Sequence, residues 1–244
     1  TATLNASAAG STIDMISAGG VNGFNLFGGA GIDALTGSVN ADTISGGAGV
    51  DAINMGAGNN VAVVNAVVGT SSNSGRVTTT GNANDTGQDT ITGFNLANDT
   101  LKIVATGVTS FVHGTDTSIG TANGLDDGTV GSFLTSTGLV NLSHEAVLLI
   151  GGGDVAVTFV TPSVVLTEAN FEARLQYNLT GTSGNNTITT GVLDDTITGG
   201  AGSDTLTGGA GVDTFVFNAV VGTSSDSNNL VKDTVIDFVS GADT

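Results

Sequence analysis

Across its 244 residues the chain carries 22 Asp plus Glu against only 4 Lys plus Arg, a formal net charge of −18, together with 39 Gly and no Cys. So acidic a chain repels nucleic acid and anionic membrane surfaces, which excludes both as partners. The absence of cysteine excludes a disulfide framework, and no apolar run is long enough for a transmembrane helix. Residues 1–27 read as the end of a preceding unit. Residues 28–63 then fall into four nonapeptides, GGAGIDALT, GSVNADTIS, GGAGVDAIN and MGAGNNVAV. Residues 64–180 form an intervening, mostly β segment. Within it Leu101 to Val104 reads as a strand, and the apolar runs Ala146–Ile150 and Val155–Val160 flank Gly151-Gly152-Gly153-Asp154 as a hairpin. One short helix is expected over 167–175, with Thr167 as N-cap and Phe171 and Leu175 on one face. These elements are expected to pack over the open ends of the repeat blocks, where strand edges would otherwise be unpaired. Residues 181–216 again hold four nonapeptides, GTSGNNTIT, TGVLDDTIT, GGAGSDTLT and GGAGVDTFV, and 217–244 is a truncated flank of a second long repeat.

The nonapeptides lie inside a larger duplication. Phe24-Asn25-Leu26 answers Tyr177-Asn178-Leu179, and the run from Asn65 to Ser72 returns as Asn218 to Ser225 at the same offset. Asp89-Thr90-Ile91-Thr92-Gly93-Phe94 is likewise answered by Asp233-Thr234-Val235-Ile236-Asp237-Phe238. The second copy stops at Thr244 while the first runs on, as expected of a stretch of a longer tandem protein.

Each nonapeptide is too small to bury its own apolar face, so neighbours must stack. Glycine permits the positive φ of a tight turn, and the last three residues alternate polar and apolar as a short strand. Turn plus strand uses nine residues, so two repeats make one coil and a turn stacks on the turn eighteen residues later. The sixth positions then pair as Asp33 with Asp51, Asp42 with Asn60, Asn186 with Asp204 and Asp195 with Asp213. Stacked carboxylates repel unless a cation lies between them, and calcium takes six to eight oxygen ligands.

The GGAGIDALT, GGAGVDAIN and GGAGSDTLT units resemble the RTX family of calcium-binding repeats, whose signature is G-G-x-G-x-D-x-U-x with U a large aliphatic residue. The resemblance implies an all-β fold, a calcium-stabilised parallel β-roll, with Ca2+ as its cofactor. It also implies that carbonyls at positions two and four of one turn, and one and three of the stacked turn, complete each site. Carried onto this chain, those are Gly29 and Gly31 with Gly46 and Ala48, Gly191 and Leu193 with Gly208 and Ala210, and Thr182 and Gly184 with Gly199 and Ala201. The set built on Ser38, Asn40, Met55 and Ala57 is the most degraded and is expected to be weak or empty. Extracellular calcium sites bind at roughly 10⁻⁴ to 10⁻³ M, so millimolar calcium contributes only about 0.4–1.4 kcal/mol per site. Several sites must therefore act together, with folding coupled to metal binding.

Catalysis is not expected. Ser143-His144-Glu145 lies along a strand, where neighbours point to opposite faces, and no G-x-S-x-G, HExxH or Walker pattern occurs. The Thr187/Thr189, Thr196/Thr198 and Thr205/Thr207 pairs suit solvent-facing strand positions and give only short rows per face. The composition is similar to that of bacterial surface-layer RTX proteins. The resemblance therefore implies a secreted, type I-exported protein at the cell surface that assembles with itself as an oligomer or polymer, with a cell-surface glycan as a further candidate partner. Spacer repeats of a giant adhesin and the non-catalytic C-terminal region of a secreted hydrolase or toxin are the alternatives.

Overall fold

A computed structural model describes residues 1–6, 10–67, 89–112, 132–136, 143–149, 154–160, 173–218 and 232–244. In chain order the strands are β1 (Ala2–Asn5), β2 (Thr12–Asp14), β3 (Phe24–Ala30), β4 (Ala34–Thr36), β5 (Thr43–Ala48), β6 (Ala52–Asn54) and β7 (Val61–Val67). There follow β8 (Asp89–Thr92), β9 (Thr100–Thr106), β10 (Ser110–Val112), β11 (Ser132–Ser136), β12 (Ser143–Leu149) and β13 (Asp154–Val160). The series ends with β14 (Leu175–Thr180), β15 (Thr187–Thr189), β16 (Thr196–Thr198), β17 (Thr205–Thr207), β18 (Thr214–Val216) and β19 (Thr234–Val235). The described residues contain no helix. Most of the helix expected over 167–175 lies outside them, and its last residue, Leu175, instead opens β14.

Strands alternate between two faces of a roll. One face is an eight-stranded sheet in the order β1-β3-β5-β7-β9-β14-β16-β18. The other is split in two, with β2, β4, β6 and β8 in one sheet and β10, β15, β17 and β19 in another. Within the blocks the partners are eighteen residues apart and parallel: Leu35 lies beside Ile53, Ile188 beside Leu206 and Ile197 beside Phe215. That is the coil of two nonapeptides, and the all-β parallel roll is the fold of this chain.

The eighth residue of each repeat is the one that turns inward. Leu35, Ile44, Ile53, Ala62, Ile188, Ile197, Leu206 and Phe215 are all buried, and with Leu26, Leu101, Ile103, Leu175, Tyr177 and Leu179 they form one continuous core. The tilted rings of Phe111 and Tyr177, 4.9 Å apart, fill it where the two blocks meet. Trimming Ile197 to valine should cost about 0.5–1.5 kcal/mol, the usual loss for one buried methyl. A calcium-saturated thermal melt checks it, and an unchanged midpoint would mean that position is not packed.

The intervening segment does more than cover ends. β9 pairs with β7 on one side and with β14 on the other, so it is a coil between the blocks rather than a lid over them. The expected hairpin is present as β12 and β13, antiparallel with Leu149 opposite Asp154. β13 in turn pairs in parallel with the edge of β8. Among the described residues β10 pairs with β15 and starts a separate sheet.

Candidate metal centre

The strand length and the turn geometry together set the sixth-position side chains at the two lateral edges of the roll, where they form columns. On one edge the Ser11 N–H is donated to Asp33 Oδ1, the Asp33 N–H to Asp51 Oδ1 at 2.8 Å, and the Asp51 N–H to Asp89 Oδ1 at 2.9 Å. On the other edge the Phe24 N–H reaches Asp42 Oδ1, Asp42 N–H reaches Asn60 Oδ1 at 2.9 Å, and Asn60 N–H reaches Asp99 Oδ1 at 2.8 Å. The second block repeats this. Asn186 N–H is donated to Asp204 Oδ1 at 2.7 Å and Asp204 N–H to Asp233 Oδ1 at 2.9 Å. Asp195 N–H is donated to Asp213 Oδ1 at 2.9 Å and Asp213 N–H to Asp243 Oδ1 at 3.0 Å.

All of these side chains but the half-buried Asp233 are buried, and the second carboxylate oxygens differ in fate. Asp33 Oδ2 and Asp51 Oδ2 are buried without a hydrogen-bond partner. Leaving a carboxylate oxygen dry and unpaired is costly, and a hard divalent cation satisfies oxygen donors of this kind. The surrounding backbone leaves room for them. A Cβ added at Gly28 would lie 2.7 Å from Asp33 Oδ2 and 2.0 Å from the Gly46 carbonyl oxygen, and one at Gly46 only 2.3 Å from Asp51 Oδ2. The Asp33–Asp51 turns therefore fit calcium.

At the other sites the oxygens are partly committed. Asp42 Oδ2 accepts the Ser38 N–H at 2.6 Å and the Ser38 hydroxyl at 3.0 Å, while the Asn60 amide donates to the Ala57 carbonyl. Asp195 Oδ1 accepts the Tyr177 N–H at 2.7 Å and Oδ2 the Gly191 N–H at 3.0 Å. Asn186 Oδ1 accepts the Thr182 N–H at 2.8 Å, and its amide donates to the Thr182 hydroxyl. Among the carbonyls carried over as ligands, Ala48 accepts the Gly31 N–H, Thr182 that of Ala201 and Gly191 that of Ala210. Each such oxygen keeps a second lone pair. Gly29, Gly31, Gly46, Gly184, Leu193, Gly199, Gly208 and Ala210 lie in these same stacked turns. No group of three or more His, Cys, Asp or Glu side chains converges among the described residues, as befits a centre built from two side chains per layer and backbone oxygens.

Burial is the main force on the ionisation of these columns. It pushes the Asp89 carboxyl up to about 8, with the Asp51 carboxylate adding to the rise and the Asp51 N–H opposing it. It likewise raises Asp195 to about 7 against the N–H groups of Tyr177 and Gly191. Asp51, Asp99 and Asp213 are raised too, first by burial, with neighbouring Asp33 adding for Asp51 and Asp243 for Asp213.

Asp89, Asp99, Asp233 and Asp243 extend the columns beyond the regular nonapeptides, and the search for a nine-residue period passes over them. The signal was present: Asp89-Thr90-Ile91, Asp99-Thr100-Leu101 and Asp233-Thr234-Val235 each repeat the D-T-aliphatic ending of the units. Ser143, His144 and Glu145 are consecutive residues of β12; the other residues of catalytic type, His113 and the Asp126-Asp127 pair, lie outside the described residues, and the neighbours Asp194 and Asp195 share a turn.

No curated protein matches the chain. The family of the RTX calcium-binding nonapeptide repeat matches four copies, over residues 27–62 and 180–215. These spans coincide with the two stacks of aspartate-lined turns, so both blocks of this chain are RTX calcium-binding nonapeptide repeats.

Proposed function

We propose that this chain is a calcium-dependent structural module of a secreted bacterial surface protein, part of a surface layer or extracellular filament, which folds and assembles on binding calcium. Calcium binding itself belongs to the repeats. The observation that carries the rest is the pair of buried, unpaired oxygens of Asp33 and Asp51 in a chain of net charge −18. Without the ion these columns concentrate negative charge along two edges of a narrow roll; with it the turns lock and self-repulsion falls. Asp33 and Asp51 would hold one ion with the carbonyls of Gly29, Gly31, Gly46 and Ala48. In the second block the stacked turns are those of Asn186 with Asp204 and of Asp195 with Asp213, one on each edge. Sites of this class fill at millimolar calcium, which points to an extracellular setting and to export of the type I kind. No helix among the described residues is long and apolar enough to cross a membrane.

Far-UV circular dichroism against calcium, with magnesium as control and light scattering recorded alongside, tests the proposal. A β signal rising with calcium alone, and scattering that rises with it, are expected. A chain fully folded in chelator and indifferent to calcium would overturn it.

A further inference from the structure

The turns of the roll adopt two conformations, distinguished by where the second-position N–H points. In the GGAG and MGAG turns, positions two and four both have positive φ: Gly29 at 107° and Gly31 at 148°, Gly47 at 98° and Gly49 at 146°, Gly56 at 74° and Gly58 at 104°. The same holds for Gly200 at 97° with Gly202 at 132°, and for Gly209 at 89° with Gly211 at 122°. Such backbone is open to glycine and strained for other residues. In the turns 37–42, 181–186 and 190–195 no glycine has positive φ. There the second-position N–H turns inward and is donated to the sixth-position side chain of its own turn: Ser38 to Asp42, Thr182 to Asn186 and Gly191 to Asp195. Gly191 shows that this is a property of the turn and not merely of glycine being absent. The irregular turns at Asn95–Asp99 and Val239–Asp243 close in the same way, at 2.8 Å and 2.7 Å.

An N–H donated to a carboxylate brings to that oxygen the positive charge a cation would otherwise bring. We propose that the two conformations divide the labour: calcium is taken at the open turns, while clamped turns cap themselves and coordinate no ion. Of the four stacked pairs, only Asp33 with Asp51 joins two open turns. Asp204 and Asp213 take their ions without Asn186 and Asp195, and Asp42 is a metal-free clamp. The proposal rests on the calcium reading above, which it narrows to particular residues. It also gives an aspartate-to-asparagine change opposite meanings in the two classes. At an open turn the change removes a ligand and a buried charge; at a clamp it removes an acceptor that serves two N–H groups, as Asp195 serves those of Tyr177 and Gly191.

The test is the number of calcium ions bound by the full 244-residue chain, counted by equilibrium dialysis and by titration calorimetry. Asp51→Asn should lose one ion or weaken the tightest class by about tenfold, because affinity follows ligand charge. Asp195→Asn should keep the wild-type count while lowering thermal stability in saturating calcium. Should that variant not fold, Asn186→Asp decides the matter: a carboxylate placed in a clamped turn should add no ion. An extra ion in Asn186→Asp, or a loss in Asp195→Asn equal to that in Asp51→Asn, would overturn the division of turns while leaving calcium binding intact. No calcium bound by the wild-type chain would instead overturn the calcium reading itself.

Discussion

Replacing Gly46 by alanine should abolish the Asp33–Asp51 calcium site and destabilise the roll by about 3 kcal/mol, the upper end of the usual cost of overpacking a buried position. The new methyl would sit 2.3 Å from Oδ2, 2.7 Å from Cβ and 2.8 Å from Cγ of Asp51. Asp51 has nowhere to go. It is buried, its Oδ1 accepts the Asp33 N–H, and its own N–H is held by Asp89. Swinging the carboxylate aside breaks the column at its middle and withdraws the charged ligand from the one pair with two open turns. Gly19 is the matched control, with ordinary φ and nothing within 4 Å of an added Cβ. Gly19→Ala should stay within about 0.5 kcal/mol of wild type. Thermal unfolding of both variants in calcium and in chelator separates the outcomes. Equal midpoints for the two would mean the first glycine of the repeat is not holding space for the carboxylate.

The second large effect is on pH. The carboxyls of Asp89 and Asp195 lie at about 8 and about 7 in the fold, against 3.8 as the ordinary value. A raised acid binds more protons folded than unfolded between those values, so stability falls as pH rises. In chelator the roll should therefore be most stable near pH 4 and weaken progressively up to pH 8, beyond which these two groups add no further loss. In the column of Asp33, Asp51 and Asp89 calcium reverses the sign, because it favours the ionised carboxylates, whereas Asp195, clamped by its own turn, keeps its metal-free dependence. The apparent affinity for calcium should climb over the same window, and calcium binding at pH 7 should release protons. Calcium titrations at pH 5.5 and pH 8, with proton release followed in weak buffer, measure both. An affinity independent of pH would show that the buried columns do not titrate with the metal.

The nine-residue period determined by itself that the chain coils, that eighteen-residue neighbours stack, and that the eighth residue faces inward. Those features depend only on local backbone geometry and on an apolar residue recurring at fixed spacing, so Leu35 and Ile53 could be paired without coordinates. The strand at Leu101 and the β12–β13 hairpin were legible for the same local reason. Four features were decided by the tertiary structure. The joining of both blocks into one roll depends on β9 pairing with β7 and β14, and the splitting of one face on β13 pairing with β8; both are long-range pairings between segments of unequal length. The placing of Asp89 and Asp99 beneath Asp51 and Asn60 depends on insertions that break the period, with separations of 38 and 39 residues where the blocks use 18. The open or clamped state of a turn was hidden as well, since Gly191 and Gly209 are both second-position glycines and only Gly209 has positive φ. Composition permits both conformations there, and which one forms is settled by the hydrogen bonds and contacts of the stacked turn.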